Sequence, residues 1–165
     1  MTTTCGATGS GQQGGGELVL VLHGPSLGAL GSREPAIYGR TTLAEIDERL
    51  SAEAAALGAL TTSLQSNHEG TLIDAILAAP ERGVAGILIN PAAYTHTSLA
   101  IADALRAAAL PAVEVHLTQT AAREPIRRRS LVAPACAASV AGFGPCSYTL
   151  GLRGLLGLLR ERANS

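Results

Sequence analysis

The chain contains no lysine; all 12 of its basic residues are arginine. A lysine Schiff base and the lysine of a P-loop are both excluded. Tryptophan is also absent, and aromatic residues make up only 2% of the 165 positions. That leaves too few rings for the stacking platforms that bind single-stranded nucleic acid. Neither sign of charge dominates: 12 basic against 13 acidic residues give a formal net charge of −1. The strongly basic face that DNA or RNA recognition needs is missing. No run of about 18 apolar residues exists to span a membrane. The opening stretch, MTTTCGATGSGQQGGG, has neither a positive charge nor an apolar run, so it does not read as a signal peptide. Cys5, Cys136 and Cys146 are an odd number without short regular spacing, which suggests neither a disulfide framework nor a zinc site. Two of them are expected as small buried hydrophobes. A reducing, cytoplasmic setting is the expectation.

What is present suits one globular domain: 47% of residues are hydrophobic, enough for a real core. Residues 1–16 are Gly-, Thr-, Ser- and Gln-rich and read as a flexible tail, leaving 17–165 as a single domain. The tail holds a GxGxxG match, Gly9 to Gly14. No strand precedes it, so it is not a dinucleotide fingerprint.

From Glu17 strand and helix signals alternate. Residues 17–22 (ELVLVL) read as a buried strand ending at His23-Gly24-Pro25. Leu43, Ile46 and Leu50 share a helical face, and Thr42 with Glu45 makes a capping box. Residues 59–65, 84–89 and 112–117 read as further strands, and 131–141 hold a weaker fifth. Helices are expected over 71–79, 97–109 and 147–162, with a short helical turn within 123–130. This alternation predicts βαβ units and a parallel sheet covered on both faces. Ligands of such sheets bind beyond the carboxyl ends of the strands. The site is therefore expected in the loops after Leu22, Gln65, Ile89 and Leu117.

Those loops carry chemistry. His23, His68, His96 and His116, the chain's four histidines, all fall at predicted strand ends. Each alone could be structural; together they favour a site. Glu114 and His116 lie two apart on one strand and so face the same side. They could form a metal pair, or a carboxylate–imidazole pair that orients the ring. The second fits better, because no third convergent ligand is evident. Arg33 and Tyr38 are the other informative pair. A free tyrosine, with a pKa near 10, is a poor base at neutral pH, but a nearby guanidinium favours the phenolate. Tyr38 could then act as a general base, or simply pack its ring. The last helix is apolar nearly all round, which fits either an oligomer interface or burial against the sheet.

Several of these segments resemble one family, the type II 3-dehydroquinate dehydratases. The similarity lies in Gly24-Pro25, Leu27, Leu30-Gly31, Arg33-Glu34-Pro35 and Tyr38-Gly39. It continues through Gln65-Ser66-Asn67-His68-Glu69-Gly70 and Ile89 to Ser98, with Asp103 beyond. Glu114 to Leu117, Ala122-Arg123-Glu124 and Gly142-Phe143-Gly144 complete it, over about residues 17–160. The resemblance implies a flavodoxin-like α/β fold: a five-stranded parallel sheet, order 2-1-3-4-5, with helices on both faces. It implies a homo-oligomer, a dodecamer of four trimers. It implies trans elimination of water from 3-dehydroquinate through an enolate, with no cofactor and no metal.

By the same resemblance Tyr38 is the general base, and Arg33 favours its phenolate. His116, oriented by Glu114, is the general acid. Asn90 and the backbone N–H groups of Leu117 and Thr118 hold the substrate carboxylate; His96 and Arg127 bind ring hydroxyls. Asp103 reaches a neighbouring subunit's site. Ser26 and Arg123 rank below these. The chain departs from the family's usual Asn-Gly-Pro-Asn at His23-Gly24-Pro25-Ser26, and from its usual Ser-Asn at Thr118-Gln119. Two other readings compete with the enzyme: a non-catalytic or altered-specificity relative binding a small cyclic hydroxy acid, and a flavin or nucleotide carrier. The second lacks a Ser/Thr-rich phosphate loop after the first strand.

Overall fold

The computed structural model describes residues 16–32 and 40–165. The Gly-rich segment over 1–15, with Cys5, and the stretch carrying Arg33 and Tyr38 lie outside the described residues. Five strands form one sheet: β1 (Leu18–His23), β2 (Leu60–Gln65), β3 (Val84–Asn90), β4 (Ala112–His116) and β5 (Ala138–Ala141). The order is β2-β1-β3-β4-β5, and every neighbouring pair is parallel. The expected order and class are borne out.

Among the described residues four helices flank the sheet, α1 (Leu43–Ala56), α2 (Glu69–Ala78), α3 (Leu99–Ala108) and α5 (Cys146–Ala163), and a single turn, α4 (Pro125–Arg128), follows β4. Successive side chains of a strand point to opposite faces, so each inner strand feeds two cores. Val19, Val21, Leu88, Val113 and Val115 pack against Ile46 and Leu50 of α1 and against Tyr148, Leu152, Leu155 and Leu156 of α5. Leu20, Leu22, Ile87 and Ile89 pack on the other face against Leu72 and Ile76 of α2 and Ile101 and Leu105 of α3. The apolar last helix is thus largely accounted for by burial against the sheet. It comes very close at Gly151, where a Cβ would lie 2.8 Å from Val115 Cγ2 and 2.9 Å from Leu88 Cδ1.

The capping box of α1 forms as read: Glu45 N–H donates to Thr42 Oγ1, and Thr42 N–H to Glu45 Oε2. Other boundaries move. Helix α2 starts at Glu69, two residues before the expected start, so Gly70 belongs to its first turn. Helix α3 starts at Leu99, because Ser98 caps Ile101 N–H and the preceding residues Ala92–His96 form a 3₁₀ turn. The fifth strand falls within 131–141 as expected, as the four residues Ala138–Ala141. Pro134, which has no N–H to give a ladder, sits in a 3₁₀ turn over Ala133–Ala135. The buried-hydrophobe reading of the cysteines also needs correction. Cys136 is mostly buried, but Cys146, at the start of α5, is exposed.

Candidate active site

The carboxyl ends of β1, β3 and β4 surround a cavity of about 160 Å³, the size that holds a single six-membered ring. Two close approaches shape its rim. Gly24 N–H donates to the Asn90 carbonyl at 2.8 Å, and a Cβ at Gly24 would fall 2.3 Å from the Pro91 carbonyl oxygen, so only glycine fits. Ser26 then takes a left-handed conformation (φ 64°), which is uncommon for serine. Its N–H is held by Asn67 Oδ1 at 2.9 Å. The loop after β2 therefore supports the rim through Asn67 without lining the cavity.

Asn90, the last residue of β3, is almost fully buried and faces the cavity. Its Oδ1 accepts from Ala92 N–H at 3.1 Å, which turns the amide nitrogen the other way. His116 ends β4 and lines the same space. Glu114, 2% exposed, stands behind it with Oε1 2.7 Å from His116 Nε2. The other carboxylate oxygen, Oε2, accepts from Ser130 Oγ at 2.8 Å. Glu114 is thus held at both ends, and it fixes the ring that faces the cavity. Among the described residues no third acidic, His or Cys side chain joins this pair into a metal-binding group. Its negative charge adds to burial in pushing the Cys136 thiol up to about 12.

His96 also lines the cavity, with Nδ1 2.7 Å from the Arg129 carbonyl oxygen. A carbonyl only accepts, so Nδ1 carries the proton and a neutral ring offers Nε2 as an acceptor. Leu117 and Thr118 line the floor just after β4, and Arg123 and Arg127 close one side. Glu124 steadies both guanidiniums: Arg127 Nε is 2.6 Å and Arg123 Nε 3.3 Å from its carboxylate. Its own backbone N–H, then Arg127, hold that carboxyl below its ordinary range.

Eight expected site residues therefore line one cavity: Ser26, Asn90, His96, His116, Leu117, Thr118, Arg123 and Arg127. Glu114 backs them. Asp103 does not join them; it is exposed on α3 and paired with Arg106 Nη1 at 2.9 Å. Arg33 and Tyr38 fall outside the described residues. Of the other histidines, His68 precedes α2 and lines no part of the cavity. His23 is fully buried behind it, between Asp47 and Tyr148, so gathering all four histidines at one cavity was too broad an expectation. Sequence reasoning missed Ser130, Asp47 and Tyr148. Tyr148 is 125 positions from His23, and nothing in the local pattern links them.

The fold and the site define a doubly wound α/β protein with an acid–base pocket at the carboxyl ends of its strands. Comparison with known proteins gives the family. The model of the class II dehydroquinases matches residues 17–156, and the chain belongs to that family. It is 54% identical over 138 residues to the 3-dehydroquinate dehydratase of Chelativorans sp. (strain BNC1), a match covering 83% of this chain and 94% of the relative. The Nostoc sp. (strain PCC 7120) 3-dehydroquinate dehydratase is 53% identical over 142 residues, covering 86% and 96%. Among solved structures, the type II dehydroquinase from Butyrivibrio crossotus DSM 2876 superposes with a TM-score of 0.82 at 36% identity, covering 85% of this chain and 97% of that one. The Propionibacterium acnes type II dehydroquinase gives 0.81 at 39% identity, covering 86% and 97%.

Proposed function

We propose that the chain is a 3-dehydroquinate dehydratase, a hydro-lyase of the shikimate pathway. It would convert 3-dehydroquinate to 3-dehydroshikimate and water. The observation that carries this reading is the Glu114–His116 pair, with Oε1 2.7 Å from Nε2, on the wall of a cavity that Asn90 also lines.

The substrate is a β-hydroxyketone, whose α proton is acidic because the resulting carbanion is an enolate. Tyr38 as phenolate, favoured by Arg33, takes that proton. His116 gives a proton to the departing hydroxyl, and water leaves as the double bond forms. Asn90 and the N–H groups of Leu117 and Thr118 hold the carboxylate. His96, through its acceptor Nε2, and Arg127 take ring hydroxyls. Ser26 and Arg123 lie at the edge of this set. Every step is a proton transfer between side chains and substrate, so the reading needs no cofactor or metal. Residues 17–165 form the catalytic domain. The working form is a cytoplasmic dodecamer of trimers, in which Asp103 completes a neighbour's site.

The test is the absorbance of the conjugated enone product, followed with wild type and Tyr38→Phe. Turnover by wild type, lost in Tyr38→Phe, is the expected result. Binding of 3-dehydroquinate without turnover would instead indicate a relative that kept the pocket and lost the chemistry. Turnover unaffected by Tyr38→Phe would keep the reaction and overturn the base.

A further inference from the structure

The end of β2 and the loop after it supply two amides that the proposed mechanism does not use. Gln65, the last residue of β2, places Nε2 3.2 Å from the Gly24 carbonyl oxygen and 3.1 Å from Asn67 Oδ1. Asn67 Oδ1 in turn lies 2.9 Å from the backbone nitrogen of Ser26. The two side chains thus hold the chain on either side of Pro25, which lines the cavity. Asn67 also accepts, through its backbone carbonyl, from the Tyr94 hydroxyl at 2.8 Å. Tyr94 belongs to the 3₁₀ turn Ala92–His96, and Ala92, Ala93 and His96 of that turn line the same cavity.

The polarity of these contacts is set by backbone groups, which cannot reverse. A backbone N–H only donates, so the Asn67 atom that meets Ser26 is the carbonyl oxygen. A backbone carbonyl only accepts, so Gln65 turns its NH₂ group to Gly24, and its second N–H meets Asn67 Oδ1. Neither amide titrates. What they hold is a turn that needs holding, because the left-handed backbone of Ser26, φ 64°, is unfavourable for serine. The Ser26 hydroxyl has no hydrogen-bond partner among the described residues, and Ser26 lines the cavity. Resting on the dehydratase reading, we propose that Gln65 and Asn67 are positioning residues: they clamp the Gly24-Pro25-Ser26 turn and so aim the free Ser26 hydroxyl into the cavity. Neither amide touches the substrate, so each acts only through the turn.

Two exchanges of an amide for an acid separate this role from simple loop filling. Asn67→Asp keeps an acceptor for Ser26 N–H and for Gln65. Gln65→Glu sets a carboxylate against two acceptors, the Gly24 carbonyl and Asn67 Oδ1, and opens the clamp. Both acids add the same charge beside the same turn, so charge alone does not distinguish them. The expected result is a kcat/KM for 3-dehydroquinate lowered about tenfold in Gln65→Glu and in Asn67→Leu, and restored by Asn67→Asp to within about twofold of wild type. Added to Ser26→Ala, Gln65→Glu should cost less than about twofold more, because no hydroxyl is left to aim. Equal losses in the two acid variants, or a further tenfold or so loss in the double variant, would overturn the clamp.

Crystal structures of ligand-free wild type, Gln65→Glu and Asn67→Leu give a second readout. Ser26 should leave the left-handed region in both variants; a backbone that stays there overturns the proposal. This readout needs no substrate. If the wild type does not turn over 3-dehydroquinate, the dehydratase reading falls and the Ser26 backbone still decides the clamp. Should Gln65→Glu fail to fold, the contrast between Asn67→Leu and Asn67→Asp, at an exposed position, carries the same test.

Discussion

Ser130 Oγ lies 2.8 Å from Glu114 Oε2 and is the donor in that contact. Its oxygen already accepts from the N–H groups of Val132 and Ala133, at 3.1 and 2.8 Å, so its own proton is free to point at the carboxylate. The serine thus aims a buried acid, which in turn aims the imidazole of His116. Ser130→Ala should leave the fold intact and lower kcat about tenfold with little change in KM. Glu114→Gln should cost more, roughly 10²-fold in kcat, because a neutral amide lacks the charge that favours the imidazolium and has one acceptor oxygen for the two donors His116 and Ser130. Steady-state kinetics on both variants check the order; an equal loss in the two would show that Ser130 does more than orient.

Ser26 holds a left-handed backbone that asparagine adopts more easily than any residue but glycine. Ser26→Asn should stabilise the loop and place a longer donor in the cavity. A kcat raised about 10-fold or more is expected, given what one donor to a developing oxyanion is worth. An unchanged or lower kcat would show that the serine is matched to this site as it stands.

The two described cysteines should differ sharply in reactivity. Cys136 is partly buried, and that burial, with the Glu114 charge, pushes its thiol up to about 12. Cys146 is exposed. Only the thiolate alkylates readily, so iodoacetamide at pH 8 should label Cys146 well before Cys136 in the native protein. Peptide mass spectrometry over a time course reads the difference, and equal rates would contradict the burial of Cys136.

Asp47 makes part of the stability acid-sensitive. Burial raises its pKa, but hydrogen bonds from His23 and Ser63 and the His23 charge outweigh this, and the net shift is downward. A carboxyl whose pKa is lower folded than unfolded stabilises the fold above its unfolded value, near 4. That contribution is lost as pH falls through the lower folded value. The melting temperature of wild type should exceed that of Asp47→Asn most at pH 6, with the gap narrowing from about pH 5 towards pH 3. A gap that does not change with pH would mean that the carboxylate charge contributes nothing.

Legibility in the sequence followed range. The unbroken apolar run within residues 17–22 and the three-residue spacing of Thr42 and Glu45 are local, and the strand and the capping box form within a residue of where they were read. The pairing of Glu114 with His116 needs only the geometry of one strand, and it holds. Most of the cavity lining was legible for a related reason: strand ends in a parallel sheet converge, so the residues after them meet. The failures are long-range or set by a single turn residue. His23 looked like one more loop histidine, because its partners come from α1 and α5. The start of α3 moved because Ser98 takes the cap and Ala92–His96 form a 3₁₀ turn before it.

The sheet separates two cores that share no side chains: one lies under α1 and α5, the other under α2 and α3. Most site residues stand at the ends of the strands, and of them only Leu117 also belongs to a core, the one under α1 and α5. Mutations accumulating on one face are therefore insulated from the other by a layer of backbone, and neither face needs a particular apolar residue for the strand ends to converge. A protein built this way can turn over much of its interior during evolution while its reactive groups keep their places. An engineer could exploit the same partition, redesigning the interior one face at a time with activity as the check.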